Sequence, residues 1–381
     1  MSAPSPRGPR PREHGIRLGS LEPGPLNAIT DVAGVRVGHA TVWRDEPDPP
    51  DGRGVARTGV TAILPGDPGT LLAQPVPAGA TALNAAGELT GFLQVSEWGV
   101  VETPVYLTAT MQVGRVFDGA VEAALAADPR VGDDWVVIPV VGECDDSWLN
   151  DARCVQVERE DVARALAAAR GGPVAEGAVG AGAGMTTLGW KGGIGTASRL
   201  VPEVGCVVGV LVLANFGTAA DLRIDGLALG NALGGGIVEP PRPGGSCIAI
   251  VVTDAPLHTA QLERVARRCG LGLARTGSVA HHGSGEIFLA LSTGARRPRV
   301  EGARRERVEL VPDELLNGLF QATVEATEEA VLNALWAAPD VVGRQGRLAR
   351  GLPHDAVLEL LDRAGRLGRA AEGDAPGQAE A

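Results

Sequence analysis

The chain has 381 residues, 44% of them apolar, and carries 34 basic against 46 acidic residues, a formal net charge of −12 at pH 7. That is enough apolar material for a large core, and too acidic a balance for a broad nucleic-acid surface. The 54 glycines cluster without a period of three and the five cysteines form no C-x-x-C pair, which excludes a collagen-like chain and argues against a zinc site or a disulfide scaffold.

Residues 1–22 lack an apolar segment and read as a flexible leader rather than a signal peptide. "VRVGHATVW" (35–43) and "TGVTAILP" (58–65) read as strands around a Pro- and Gly-punctuated loop at 45–54. "PVYLTAT" (104–110) and "WVVIPVVG" (135–142) are further strand patterns, with helical patterns at 114–128 and 158–172. "CVVGVLVLANF" (206–216), "CIAIVVTDA" (247–255) and "EIFLALST" (286–293) are strands apolar enough to be covered on both faces. A helix with Asp254 as its cap is predicted within 254–276, and the longest helix within 312–338. The arginine-rich run 293–310 reads as a solvated loop or hairpin, and 367–381 as a flexible tail. The mixture predicts one α/β domain over 23–366. No stretch is apolar enough to span a membrane, and the scattered, odd-numbered cysteines fit a reducing cytoplasm.

Common cofactor chemistries find no footing. "GNALGGG" (230–236) and "GWKGGIGT" (189–196) lack the Walker spacing, and no G-x-G-x-x-G or G-x-S-x-G is present. Of six histidines only His281 and His282 adjoin, and neighbours on a strand point to opposite faces, a poor metal chelate. No metal or organic cofactor is implied.

One local pattern carries a different chemistry. In "GGSCIAIVV" (244–252) a serine follows two glycines at the start of an apolar strand. If the peptide before Ser246 breaks, Ser246 acquires a free α-amine with a reference pKa of roughly 7.7–8.0, a base within reach of its own hydroxyl. Gly245 leaves the approach to the scissile carbonyl open because it has no Cβ. The same pattern also reads as an ordinary turn before a strand.

Eight ordered segments between about 23 and 340 decide between these readings. They include "GPLNAITDVAGVRVGHATV", "PVVGECDDSWLND", "GAGMTTLGWKGGIGTASR", "VGVLVLANFG", "GGSCIAIVVTDAPL" and "RTGSVAHHGSGEIFLALST". Together they resemble the L-aminopeptidase/D-esterase (DmpA-like) and β-peptidyl aminopeptidase family of self-cleaving N-terminal-nucleophile (Ntn) hydrolases. The resemblance implies a four-layer α-β-β-α sandwich, Ntn-hydrolase-like but differently connected. It implies self-cleavage between Gly245 and Ser246, giving an α chain of 1–245 and a β chain of 246–381. It implies a small peptide, amide or ester substrate, tolerance in some members of D- or β-amino acids, and a homo-oligomer, commonly a tetramer.

By the same resemblance Ser246 is the nucleophile, Ser284 and Glu286 stand near it, and Asn215 donates to the oxyanion. Glu88 helps hold the substrate's amino end. Two departures bear on specificity. "ECDDS" puts Asp145 where members carry a tyrosine, where it meets a substrate amine or solvent. "HHG" replaces smaller polar residues, so that His281 or His282 lines the pocket. Three alternatives stay open: Cys247 as a rival nucleophile, an amidase acting on a pantetheine-like metabolite, and a catalytically idle structural homologue.

Overall fold

β-Branched and aliphatic runs too apolar for one solvated face become two sheets that cover each other. The structure, a computed structural model, describes residues 9–237, 245–299 and 307–368. In chain order its strands are β1 (Arg36–Asp45), β2 (Val55–Leu64), β3 (Val76–Ala85), β4 (Val100–Val101), β5 (Val105–Ala109), β6 (Val140–Cys144), β7 (Thr186–Thr187), β8 (Trp190–Lys191), β9 (Gly193–Val201), β10 (Cys206–Phe216), β11 (Arg223–Ile224), β12 (Leu227–Ala228), β13 (Gly245–Thr253), β14 (Ser284–Ser292), β15 (Val341–Val342) and β16 (Leu348–Ala349). The helices are α1 (Pro68–Leu71), α2 (Phe92–Trp98), α3 (Val113–Ala127), α4 (Arg159–Ala167), α5 (Gly230–Leu233), α6 (Thr259–Arg275), α7 (Leu316–Ala337) and α8 (His354–Arg363).

A four-stranded sheet runs in the order β1-β2-β5-β6, and a six-stranded sheet in the order β4-β3-β14-β13-β10-β9. Alternate residues of each strand feed different cores. Ile63 and Leu107 of the first sheet meet Leu211, Ile250 and Leu289 of the second between the sheets. Ala249, Val251 and Phe288 turn the other way, against Leu262 and Val265 of α6 and Ala326 and Ala330 of α7. On the opposite outer side Ala62, Tyr106 and Val141 pack on Val116 and Ala120 of α3 and on Val162 and Ala165 of α4. The layers are therefore α3/α4, four-stranded sheet, six-stranded sheet, α6/α7, as the resemblance implied.

The helices are tightly seated. A Cβ at Gly195 of β9 would lie 1.9 Å from the Ala330 carbonyl oxygen. Only a glycine there lets α7 lie directly on the strand. Arg199, fully buried, donates to Glu329 at 2.6 Å and pairs with Glu325 at 3.2 Å, fixing β9 to the same helix.

Several sequence expectations are corrected. The leader is not flexible from residue 9 onward: Ile16 and Leu18 are buried, and Arg12 pairs with Glu329 at 2.6 Å. Residues 1–8, and 369–381 of the expected tail, lie outside the described residues. Residues 135–139 are not strand, and Val136 is 82% exposed. Helix α6 begins at Thr259 and is capped by His258, whose side chain accepts from the Gln261 N–H; Asp254 accepts from the Val207 N–H instead. The arginine-rich run leaves the end of β14, and its residues 300–306 are outside the described ones.

Candidate active site

Two neighbouring strand ends place the expected nucleophile and oxyanion donor together. β10 and β13 are antiparallel, with Asn215 directly opposite Ser246. Directly opposed residues share a face, their Cβ atoms about 5 Å apart. That face is the inter-sheet side, because Leu213 and Ile248, two residues inward, pack between the sheets. Ser246 is 3% and Asn215 7% exposed.

β14 runs parallel to β13, with Ser284 beside Gly245 and Glu286 beside Cys247. Register partners share a face, so Ser284 and Glu286 lie on the helix side with Cys247, level with the Gly245–Ser246 peptide. Their i, i+2 spacing lets the Ser284 hydroxyl donate to Glu286 Oε1. Burial pushes the Glu286 pKa above the usual carboxylate range, against the pull of the Ser284 hydrogen bond. Among the described residues Ser246 Oγ and Glu286 Oε2 are both buried without a hydrogen-bond partner. Such atoms are costly to leave unmatched, and they mark sites of chemistry.

The residue before Ser246 has to be glycine. Gly245 has φ of +129°, and a Cβ there would lie 2.3 Å from the Asn215 carbonyl oxygen. Any side chain would be strained and would collide with the β10 backbone.

The strand ends open on a cavity of about 1260 Å³ lined by Ser246, Gly245 and Asn215, and by Glu143 and Asp145 from the end of β6. Asn215 is oriented from both sides: Oδ1 accepts from the Thr186 N–H at 2.9 Å, and Nδ2 donates to the Asp145 carbonyl at 2.9 Å. An amide nitrogen has two hydrogens, so one donor is left over. Asp145 itself is exposed, and its carboxylate accepts from the Ser147 N–H.

Glu143 is the residue that sequence reasoning missed. It is 3% exposed and accepts from the Thr110 hydroxyl and from the Glu88 N–H at 2.9 Å. Burial raises its pKa, with smaller contributions from the Asp145 and Glu88 charges, while the Thr110 hydroxyl and the Glu88 N–H hold it down. The signal was in "ECDDS", where Glu143 stands two positions before Asp145 near the end of β6. Glu88, by contrast, is exposed and not among the lining residues; it contributes its backbone N–H to Glu143. Nor do His281 and His282 line the cavity, which at that turn is bounded by Gly283. His281 Nε2 is drawn 3.1 Å from Asp221 Oδ2, and His282 is exposed on the turn. Cys247 is fully buried among the helix-side residues, and burial holds its thiol well above the ordinary value, which disfavours a thiolate nucleophile. Among the described residues no three His, Cys, Asp or Glu side chains converge as a metal site.

Known proteins resemble the chain over nearly its whole length. The sequence profile of peptidase family S58 matches residues 27–349. The β-peptidyl aminopeptidase BapA of Sphingosinicella microcystinivorans is 41% identical, over 97% of this chain and 96% of its own length. A Burkholderia sp. β-aminopeptidase structure aligns with a TM-score of 0.86 and 40% identity, over 93% of this chain and 99% of that one. The L-aminopeptidase D-Ala-esterase/amidase of Ochrobactrum anthropi, described as a prototype for the serine aminopeptidases and a variant of the Ntn-hydrolase fold, aligns with a TM-score of 0.86 and 37% identity, over 95% of this chain and all of that one. The chain belongs to peptidase family S58, and is an autoproteolytically activated serine aminopeptidase of the Ntn-hydrolase kind.

Proposed function

We propose that the chain cuts itself between Gly245 and Ser246 and then uses the freed Ser246 to release N-terminal residues from small peptides, amides and esters. In the first step Ser246 Oγ attacks the Gly245 carbonyl carbon and the C–N bond breaks, leaving an ester on Oγ and a free amine on Ser246. Water hydrolyses the ester, ending one chain in the Gly245 carboxylate. In each later cycle the amine takes the hydroxyl proton as Oγ attacks a substrate carbonyl, and gives it to the leaving amine. Water then attacks the acyl-enzyme by the same route. The spare N–H of Asn215 faces the developing oxyanion, the largest single kind of stabilisation in such reactions.

Ser284 and Glu286 stand beside the Ser246 nitrogen rather than its hydroxyl, so their role is to hold the new amine. The unpartnered Glu286 Oε2 supplies the acceptor. Glu143, with Asp145 at the outer edge, binds the substrate's ammonium group; the substrate contact proposed for Glu88 passes to Glu143, while Glu88 steadies it through the backbone. His281 acts on the turn that carries Ser284 through its bond to Asp221, and His282 takes no direct part. D- and β-aminoacyl groups fall within range because a cavity of about 1260 Å³ is roomy for one residue.

The observation that carries this reading is the pairing of Asn215 with a buried, unpartnered Ser246 hydroxyl behind an obligatory glycine. Intact-mass analysis tests it. Two chains divided after Gly245 are expected, with a single chain for Ser246→Ala; a single, fully active wild-type chain would overturn it.

We further propose a homo-oligomer, a tetramer of α/β pairs, on the support of exposed apolar side chains such as Leu93 (84%) and Val136 (82%). A cytoplasmic location is supported by five free cysteines, and no helix of the described residues is long and apolar enough to cross a membrane. Sedimentation and cell fractionation test these two points.

A further inference from the structure

The cavity is charged at two places, with opposite signs. Glu143 and Asp145 line it with Ser246, and Arg153 and Arg344 line the same space together with Trp148. The chain between the two poles turns away from β6 after Asp146, whose carbonyl accepts from the Leu149 and Asn150 N–H groups. Arg344 reaches the cavity from the β15–β16 hairpin. That hairpin is tied to the same wall by the Arg344 N–H on the Leu149 carbonyl at 2.7 Å and by Arg347 Nη1 on the Trp148 carbonyl at 3.0 Å.

The two arginines share one fully buried carboxylate. Asp151 accepts from Arg153 Nε at 2.8 Å and Nη2 at 2.5 Å, and Arg153 holds its pKa below the usual range. It lies 3.8 Å from Arg344 Nε, beyond hydrogen-bonding distance. Among the described residues the Arg344 side chain makes no hydrogen bond, and its Nε is buried. Asp48 offsets part of the charge, but from outside: it is 60% exposed and meets Arg153 only. A planar guanidinium with unused donors, facing a cavity, matches an incoming carboxylate in geometry and charge.

We infer that Arg344, positioned with Arg153 across Asp151, binds the free C-terminal carboxylate of the substrate's leaving group, so that the preferred substrates are short peptides carrying both an ammonium and a carboxylate end. This rests on the aminopeptidase reading above and adds a leaving-side specificity to it. The occupied cavity then has Glu143 for the amino end, Ser246 and Asn215 for the scissile carbonyl, and Arg344 for the carboxylate.

The test compares matched di-, tri- and tetrapeptides as free acids and as C-terminal amides, by kcat/KM with the purified, mature enzyme. The free acid is expected to be favoured by about tenfold at one chain length, the scale of one charge-assisted contact. That ratio is expected to fall near one in Arg344→Gln and to be partly kept in Arg344→Lys. Because the ratio is taken within each variant, and the wild-type comparison needs no variant, a poorly folding substitution does not mask the answer. Acids and amides cleaved equally by the wild type at every length would overturn the inference and leave the aminopeptidase reading standing. So would a ratio unchanged in Arg344→Gln. Cleavage of neither series, with aminoacyl p-nitroanilides also inert, would overturn both.

Discussion

The two sheets divide the work. In the mechanism we propose, the six-stranded sheet contributes the groups that meet the reacting atoms: Ser246 and Asn215 at the ends of β13 and β10, with Ser284 and Glu286 on β14. The four-stranded sheet and the chain that follows it contribute charged residues of the cavity lining, Glu143, Asp145 and Arg153, to which we assign the rest of a substrate. The first set sits on long strands clamped by α6 and α7, where backbone positions have little freedom. The second sits on the end of β6 and on turns beyond it. Rigid strands hold geometry to the tolerance chemistry needs, and loops vary what is recognised.

Substitutions should respect that division. Ser246→Ala is expected to have the largest effect, a loss on the order of 10⁴-fold or more in kcat together with failure of self-cleavage, read by p-nitroanilide hydrolysis and intact mass. Asn215→Ala should come next, lowering kcat by roughly 10²–10³-fold with little change in KM. If it raised KM alone, the division between sheets would be wrong. Glu143→Gln should do the reverse, raising KM by about tenfold with a smaller effect on kcat.

Glu143 also makes a pH prediction. Its pKa is raised, so the carboxylate to which we assign the substrate ammonium is lost as pH falls, beginning above the usual glutamate range. Wild-type KM should climb on that acid limb, and Glu143→Gln should flatten it.

The mildest test leaves catalysis alone. His39 of β1 is half-buried beside the Thr61 hydroxyl at 2.9 Å, and desolvation of its ring lowers its pKa from 6.5 to about 4. Between those values the unfolded chain takes up a proton that the folded one refuses. Stability is therefore full above pH 6.5 and is lost as pH falls toward about 4, by up to about 3 kcal/mol. His39→Gln should remove that slope in denaturant titrations while kcat at pH 8 stays unchanged.

How far the sequence could be read follows the same physical lines. β10 was legible to the residue because "CVVGVLVLANF" is apolar up to Asn215 and mostly Val and Leu, interrupted only by Gly209. β3 and β9 were not, because Ala and Gly carry weak strand preference, and in β9 glycine serves the close approach of α7. The start of α6 moved because Asp254 had a nearer partner in the Val207 N–H. At the site, Ser246 was indicated by its glycine and by resemblance, whereas the finding that Glu143 and not Glu88 lines the cavity depends on which carboxylate points inward, and no local pattern carries that.

Gly245 lines the same cavity as Ser246 and rests against the Asn215 backbone. With the cut where we propose it, the new carboxyl terminus is born inside that cavity, against the backbone of the very residue whose side chain we assign to the oxyanion. Scission and competence are then separate moments: a freshly divided molecule is its own first product complex, and it begins to turn over only once that terminus has withdrawn.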